Sequence, residues 1–191
     1  MTKSQELLAV IPPPIGRSSR FDLWSELERR LGFAVPQDYT WLVDAYGPGC
    51  FDGFLHVLQP KSRFEPIRIG SFGEKYRERI KAQIETGRTI RHAPEQLQPV
   101  ARTEDGDVIS WVMMPAEHSA SWGLTINNPS RSEWLSFEGG IASFLHAVFV
   151  DGLRMSFFPE GFPSSSPAFE IYPSVDGECD ESGLRTVRSV R

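Results

Sequence analysis

The 191-residue sequence contains only two cysteines, Cys50 and Cys179, and it has no long uninterrupted apolar run. Two cysteines so far apart give no disulfide framework, which fits a reducing, cytoplasmic setting. A membrane-spanning helix would need an apolar run of about 20 residues, so we expect no membrane partner. The first residues also lack the hydrophobic region and cleavage site of a signal peptide. These absences predict a soluble cytoplasmic protein.

Residue patterns typical of catalysis or metal binding are also missing. The four histidines are far apart and show no i, i+4 pair, so we expect no metal site and no cofactor. Gly47-Pro48-Gly49-Cys50 lacks the Gly-Lys-Ser/Thr continuation of a phosphate-binding loop. Cys50 would need a base to act as a nucleophile, and the sequence around it supplies none. We predict a protein that is not an enzyme. An enzyme using Cys50 or a carboxylate pair is the alternative that measured turnover would reveal.

Charge is unevenly distributed, although the total is only −5. Residues 61–91 carry +5, whereas residues 21–60 carry −4 and residues 92–150 carry −5. A mostly acidic domain argues against a nucleic-acid partner. An acidic face suits a basic protein partner instead, because complementary charge speeds association.

Residues 21–60 hold two short helices, a glycine-rich turn and a strand. The first helix begins near Ser19 or Asp22 and ends at Gly32, and the second runs from Pro36 to Gly47. A single strand is predicted from Phe51 to Leu58. The apolar positions of the two helices follow the helical repeat: Leu23, Trp24, Leu27 and Leu31, then Tyr39, Leu42, Val43 and Tyr46.

The next segment predicts a charged helix that starts with a capping box at Ser71 and runs to about Glu85. Four strands and a closing helix follow, at residues 99–103, 108–113, 122–127, 133–137 and 141–152. The first two of these strands are joined by an Asp-Gly hairpin at residues 104–107. The pattern predicts a single α+β domain, in which a mainly antiparallel sheet of about four to six strands packs against helices.

The two ends differ in composition from this central part. Residues 1–20 include three consecutive prolines, and residues 159–191 are rich in proline, serine, glycine and charge. We therefore predict a flexible N-terminal arm over 1–20, a folded domain over 21–158, and a disordered C-terminal tail over 159–191.

Four short motifs stand close together in the first part of the domain: Leu27-Glu28, Leu31-Gly32, Val35-Pro36-x-Asp38-Tyr39 and Tyr46-Gly47-x-Gly49. With the strand that follows and the closing helix, they resemble the SUKH superfamily. These Smi–Knr-like domains are found in bacterial immunity proteins and fungal cell-wall regulators. The resemblance spans residues 21–152, and the family often has leucine where Val35 stands.

The resemblance implies a SUKH-like domain that acts as an immunity protein. Such a protein binds and neutralises a polymorphic or contact-dependent toxin domain in the bacterial cytoplasm by occlusion, without turnover. The fungal relatives imply an alternative, a regulatory or scaffold module that binds other proteins. We expect a monomer or a weak dimer.

Two surfaces compete as the partner-binding site. One is the basic helix over residues 74–85, and the other is the acidic hairpin over residues 104–107 with Glu117 close to it. A third candidate is Trp41, which falls off the buried stripe of its helix and is free to contact another element or a partner. The candidate contact residues are Arg77, Arg79, Asp105, Asp107, Glu117 and Trp41.

Overall fold

The structure is a computed structural model that describes residues 2–15, 21–128, 130 and 133–172. Within these residues the chain forms five α-helices and seven strands. The helices are α1 (Lys3–Val10), α2 (Phe21–Leu31), α3 (Gln37–Tyr46), α4 (Ile69–Glu85) and α5 (Ile141–Phe149). The strands are β1 (Gly49–Phe51), β2 (Leu55–Val57), β3 (Leu97–Thr103), β4 (Val108–Val112), β5 (Leu124–Asn127), β6 (Trp134–Phe137) and β7 (Phe169–Ile171).

The seven strands form one sheet in the order β6-β5-β4-β3-β2-β1-β7, and every neighbouring pair is antiparallel. Strands β1 to β6 form a meander, and β7 returns to pair with β1. The predicted α+β class is confirmed. The sheet has more strands than the four to six predicted, because the predicted first strand is a hairpin and β7 was not expected.

The single strand predicted from Phe51 to Leu58 is wrong. Asp52 and Gly53 both have positive φ, 52° and 64°, and they turn the chain so that Phe51 pairs with Leu55. Asp-Gly is a strong signal for a tight hairpin, because these two residue types adopt positive φ at low cost. Two short strands, β1 and β2, therefore replace one long strand.

The N-terminal segment belongs to the fold, which corrects the prediction of a flexible arm over 1–20. Leu7 and Ile11 are fully buried, and α1 packs against α5. His146 of α5 is buried beneath α1, and its Nε2 lies 2.7 Å from Glu6 Oε2. Two apolar side chains and one side-chain hydrogen bond therefore attach this segment, whereas residues 16–20 lie outside the described part.

The C-terminal segment is folded as far as residue 172, which corrects the start of the predicted tail at residue 159. Phe162 is buried against Phe54 and Phe158, and β7 completes the sheet. The composition of this segment suggested disorder, but its few aromatic residues insert into the core. Residues 173–191 lie outside the described part of the chain.

Helices cover both faces of the sheet. On one face, α1, α2, α3 and α5 enclose the main core, to which the sheet contributes Phe51, Ile109 and Trp111. On the other face, Tyr76 and Ile80 of α4 pack on Leu97 and Val108. Since successive residues of a strand point to opposite faces, each strand divides its side chains between these two layers.

The motif residues that carry the family resemblance hold the fold together. Glu28 Oε1 accepts a hydrogen bond from Val35 N at 3.0 Å, and Tyr39 donates its hydroxyl to Leu58 O at 2.8 Å. Asp38 Oδ2 accepts from Ala142 N at 3.0 Å and so caps α5 from another element. The predicted stripe of α3 is confirmed, with all four of its apolar side chains buried. These hydrogen bonds therefore join the motif residues to neighbouring elements of the fold.

Helix α4 starts earlier than the sequence predicted. It begins at Ile69, with Arg68 as its N-cap, so Ser71 lies inside the helix and the predicted capping box is absent. Tyr76 and Ile80 are buried, whereas Ile84 on the last turn is 45% exposed.

Candidate functional site

A cluster of polar side chains occupies the sheet face that carries α4, centred on β1 and β2 beside the strands on which α4 packs. Cys50 of β1, His56 of β2 and Arg102 of β3 point to this face, because Phe51, Val57 and Ala101 beside them point into the main core. Glu104 and Tyr172 follow the ends of β3 and β7 and complete the cluster. The site is therefore assembled from four strands.

His56 is the centre of this cluster. Its Nε2 is hydrogen-bonded to Glu104 Oε1, its Nδ1 is hydrogen-bonded to the Tyr172 hydroxyl, and its ring stacks on the Tyr172 ring with centroids 5.8 Å apart. Burial lowers the pKa of His56, and the hydrogen bond to Glu104 opposes that shift. Burial raises the pKa of Tyr172 to about 12, so the phenol keeps its proton. Tyr172 therefore donates to Nδ1, and Nε2–H donates to Glu104.

Cys50 lies beside His56 but is not activated by it. Its Sγ is 3.7 Å from His56 Nε2, the same nitrogen that holds Glu104. Burial, followed by the negative charges of Glu104 and Glu170, raises the pKa of the Cys50 thiol to about 12. A nucleophilic cysteine needs a lowered pKa and a base with a free lone pair. The sequence analysis found no base near Cys50; the fold brings one close but orients its proton toward Glu104.

We expect the Cys50 thiol to react slowly with iodoacetamide. In a Cys179→Ser variant at pH 8, the rate should be more than about a hundredfold below that of an unperturbed thiol, because almost no thiolate is present. Mass spectrometry of the intact chain measures this rate, and the same variant unfolded in urea is the control. The rate should rise as the pH increases. Fast alkylation, with a rate whose pH dependence has its midpoint near pH 7, would instead support Cys50 as a nucleophile.

Acidic side chains surround this cluster. The β1–β2 and β3–β4 turns lie side by side, with Glu104 N donating to Phe54 O at 3.0 Å. Asp52, Glu104 and Asp105 belong to these turns, and Glu170 lies on β7, where Cys50 of β1 is its partner. We call these four carboxylates the acidic end. Glu104, Asp105 and Glu170 are exposed, and Arg102 Nη2 lies 4.0 Å from Glu104 Oε2.

The acidic residues predicted to bind a partner do not form one group. Asp105 is exposed at the β3–β4 turn, as a contact residue should be. Asp107 is fully buried and accepts hydrogen bonds from Thr103 Oγ1 at 2.9 Å and Asn128 Nδ2 at 2.8 Å, so its predicted contact role is wrong. Glu117 is exposed but follows the other end of β4, so it does not lie close to the hairpin.

The basic and aromatic candidates also separate. Arg77 is half-buried and donates to Gln98 Oε1 at 3.0 Å, so it helps to hold α4 on the sheet. Arg79 is exposed on the same helix. Trp41 is half-buried against the main core, and it therefore contacts other elements of the fold.

The sequence reasoning missed His56 and Tyr172. His56 was counted only as an isolated histidine, and Tyr172 fell in the segment predicted as a tail. The alternation of His56 with the apolar residues around it was the one local signal of its direction. In the described part of the chain, no three His, Cys, Asp or Glu side chains are arranged to hold a metal ion.

The fold and its site define the chain as an α+β protein whose antiparallel sheet is covered by helices on both faces and carries the acidic end. The sequence matches no known protein family, and no curated protein matches it. Within the described residues, no helix is both long enough and apolar enough to span a bilayer.

Proposed function

We propose that this chain is an immunity protein of the SUKH type, which binds a toxin domain in the bacterial cytoplasm and blocks it by covering its surface. The motifs of residues 27–49 support the family. Their hydrogen bonds are structural, as those of Glu28, Tyr39 and Asp38 show. Because the motif residues serve the fold, the exposed side chains are free to match one particular partner.

The observation that carries the proposal is the acidic end. Glu104, Asp105 and Glu170 present carboxylates to solvent on neighbouring turns and strands. Such a surface attracts a basic protein surface over about one Debye length, roughly 10 Å in 0.1 M salt. Complementary charge raises the association rate and selects against acidic partners. An immunity protein that must capture a toxin early benefits from both effects.

The state of Cys50 agrees with a binding function. Its thiol is protonated and the nitrogen beside it is engaged by Glu104. A stoichiometric inhibitor needs no activated nucleophile, because occlusion requires only that the two surfaces stay together. A buried free thiol also suits a reducing compartment, which supports the proposed cytoplasmic location.

The test pairs the protein with toxin domains encoded beside its gene. We expect co-expression to rescue growth against one of them, and the two purified chains to associate faster at low salt. Asp105→Lys combined with Glu170→Lys should slow association about tenfold or more at low salt, and the difference should shrink at high salt.

The matched control combines Glu117→Lys with Glu138→Lys. Both side chains are exposed at the end of the sheet opposite the acidic end, and the change in net charge is the same. An equal loss in both double variants would show that the acidic end is not the contact face. Failure to rescue growth against any neighbouring toxin, with capture of several unrelated regulatory proteins from lysate, would overturn the immunity proposal in favour of the scaffold alternative.

A further inference from the structure

We propose that the outer edge of β6 and the cavity beside it bind an extended acidic segment of a protein partner, which adds to the sheet as a further strand. This surface is separate from the acidic end, because β6 lies three strands beyond β3. The inference does not depend on the immunity proposal.

The first observation is the open edge. Within the described chain, β6 pairs only with β5, and Trp134 faces Asn127 in that register. Leu135 turns its carbonyl toward β5, where it accepts a hydrogen bond from Thr125 Oγ1 at 3.0 Å. Backbone groups of successive residues alternate in direction along an antiparallel strand. Trp134 and Ser136 therefore direct their N–H and C=O groups away from β5, toward an added strand.

The second observation is a basic cavity of about 610 Å³ next to this edge. Its lining comprises Gly87, Arg88, Thr89, Arg91 and Trp134. The charged groups of this lining are two guanidinium groups, which come from the segment that follows α4. Glu133 precedes β6 and does not line the cavity.

The Trp134 side chain, which lines the cavity, points to the sheet face that carries α4. Trp134 pairs with Asn127, whose side chain accepts a hydrogen bond from Tyr76 of α4, so both side chains point to the α4 face. Alternate side chains of an added strand would point to that face, and thus toward Arg88 and Arg91. Exposed Ile84, on the last turn of α4, adds apolar surface near the same segment.

These features together identify the occupant by its chemistry. A free strand edge supplies main-chain hydrogen bonds to an extended peptide, and the adjoining pockets select its alternate side chains. Guanidinium groups bind carboxylates with two parallel hydrogen bonds, and Trp and Arg are the residues most enriched at interface hot spots. The segment should therefore be extended and carry Asp or Glu at alternate positions. A nucleic acid would leave the strand edge unused.

The experiment titrates the ¹⁵N-labelled full chain with a capped hexapeptide of alternating valine and glutamate. We expect saturable shifts of the Trp134 and Ser136 amides and of the Trp134 indole, with affinity that falls as salt is added. The same peptide with lysine in place of glutamate should not bind. A peptide with N-methylated glutamates keeps its charge but cannot complete an antiparallel ladder, because the residues opposite Trp134 and Ser136 point their side chains to the same face and are therefore the glutamates. It should bind at least about tenfold more weakly.

Arg88→Glu combined with Arg91→Glu should weaken binding about tenfold or more. Lys3→Glu combined with Arg29→Glu is the matched control, since both side chains are exposed on α1 and α2 and the charge change is equal. Arg88→Gln with Arg91→Gln gives a milder loss if the reversed pair fails to fold.

Three results would overturn the proposal. One is equal binding of the N-methylated peptide, or no shifts at millimolar peptide. Another is tighter binding of an oligothymidine that displaces the peptide, which would mark a nucleic-acid surface. The last is a dimer in sedimentation that persists with peptide and is lost when Ser136 is changed to proline, which would mean that a second copy fills the edge.

Discussion

Replacing Gly140 with alanine is expected to lower the free energy of unfolding by about 3 kcal/mol. Gly140 precedes α5, and a Cβ built there would lie 2.1 Å from Asp38 Oδ2. Asp38 cannot move aside without losing its hydrogen bond to Ala142 N, which caps α5. The variant must therefore either accept the overlap or lose the cap while the half-buried carboxylate stays unpaired, which costs more than removing the carboxylate altogether. Both outcomes weaken the contact between α3 and α5, and denaturant unfolding measures the loss.

A double-mutant cycle gives this prediction its sharpest form. Asp38→Ala alone should cost about 1 kcal/mol, as expected for a lost helix cap. In that background Gly140→Ala should cost less than it does in the natural sequence, because the atom it overlaps is gone. Gly161→Ala is the control, since nothing lies within 4 Å of a Cβ at that exposed position. Additive effects of Asp38→Ala and Gly140→Ala would show that the overlap is not the cause.

Replacing Asp107 with alanine should also cost about 3 kcal/mol. The carboxylate accepts hydrogen bonds from Thr103 and Asn128, and both of these partners are buried. Without it, the Thr103 hydroxyl and the Asn128 amide would each lose a partner where water does not easily replace it. A buried polar group left unpaired costs more than the net value of the hydrogen bond it made.

Asp105→Ala is the natural comparison, because Asp105 lies two residues away in the same turn and is exposed. It should change the free energy of unfolding by no more than about 0.5 kcal/mol, as is usual for surface positions. Thermal or urea unfolding of the two variants separates a structural aspartate from a surface one. Equal effects would mean that Asp107 does not support the turn. Because Asp107 is buried, Asp105 is the one of these two aspartates whose substitution can test partner binding.

Much of the secondary structure follows from the sequence because its signals are local. The stripe of Tyr39, Leu42, Val43 and Tyr46 predicts α3, and all four side chains are buried. Gly32, Gly47 and Gly87 end helices with positive φ, as glycines at these positions do. The Asp-Gly signal predicts the β3–β4 turn; applied equally to Asp52-Gly53, it would have predicted the β1–β2 hairpin as well.

The candidate site was harder to predict from the sequence, because its residues come from distant parts of the chain. His56 is 48 residues from Glu104 and 116 residues from Tyr172 in the sequence. No local pattern links these positions, and composition placed Tyr172 in a tail. Burial of Asp107 was equally hidden, since an Asp-Gly-Asp turn is usually solvated. Its buried position depends on Asn128, which reaches it from the end of β5.

The sequence by itself determined α2 to α5, most strand positions, the α+β class and the uneven charge, because each depends on residues that are close together in the chain. Tertiary structure alone decided which polar side chains meet on the sheet, which ends join the core, and which edge stays open. Those outcomes depend on strand order and on which face each residue takes. Tyr172 joins Cys50, His56 and Glu104 only because β7 returns to pair with β1.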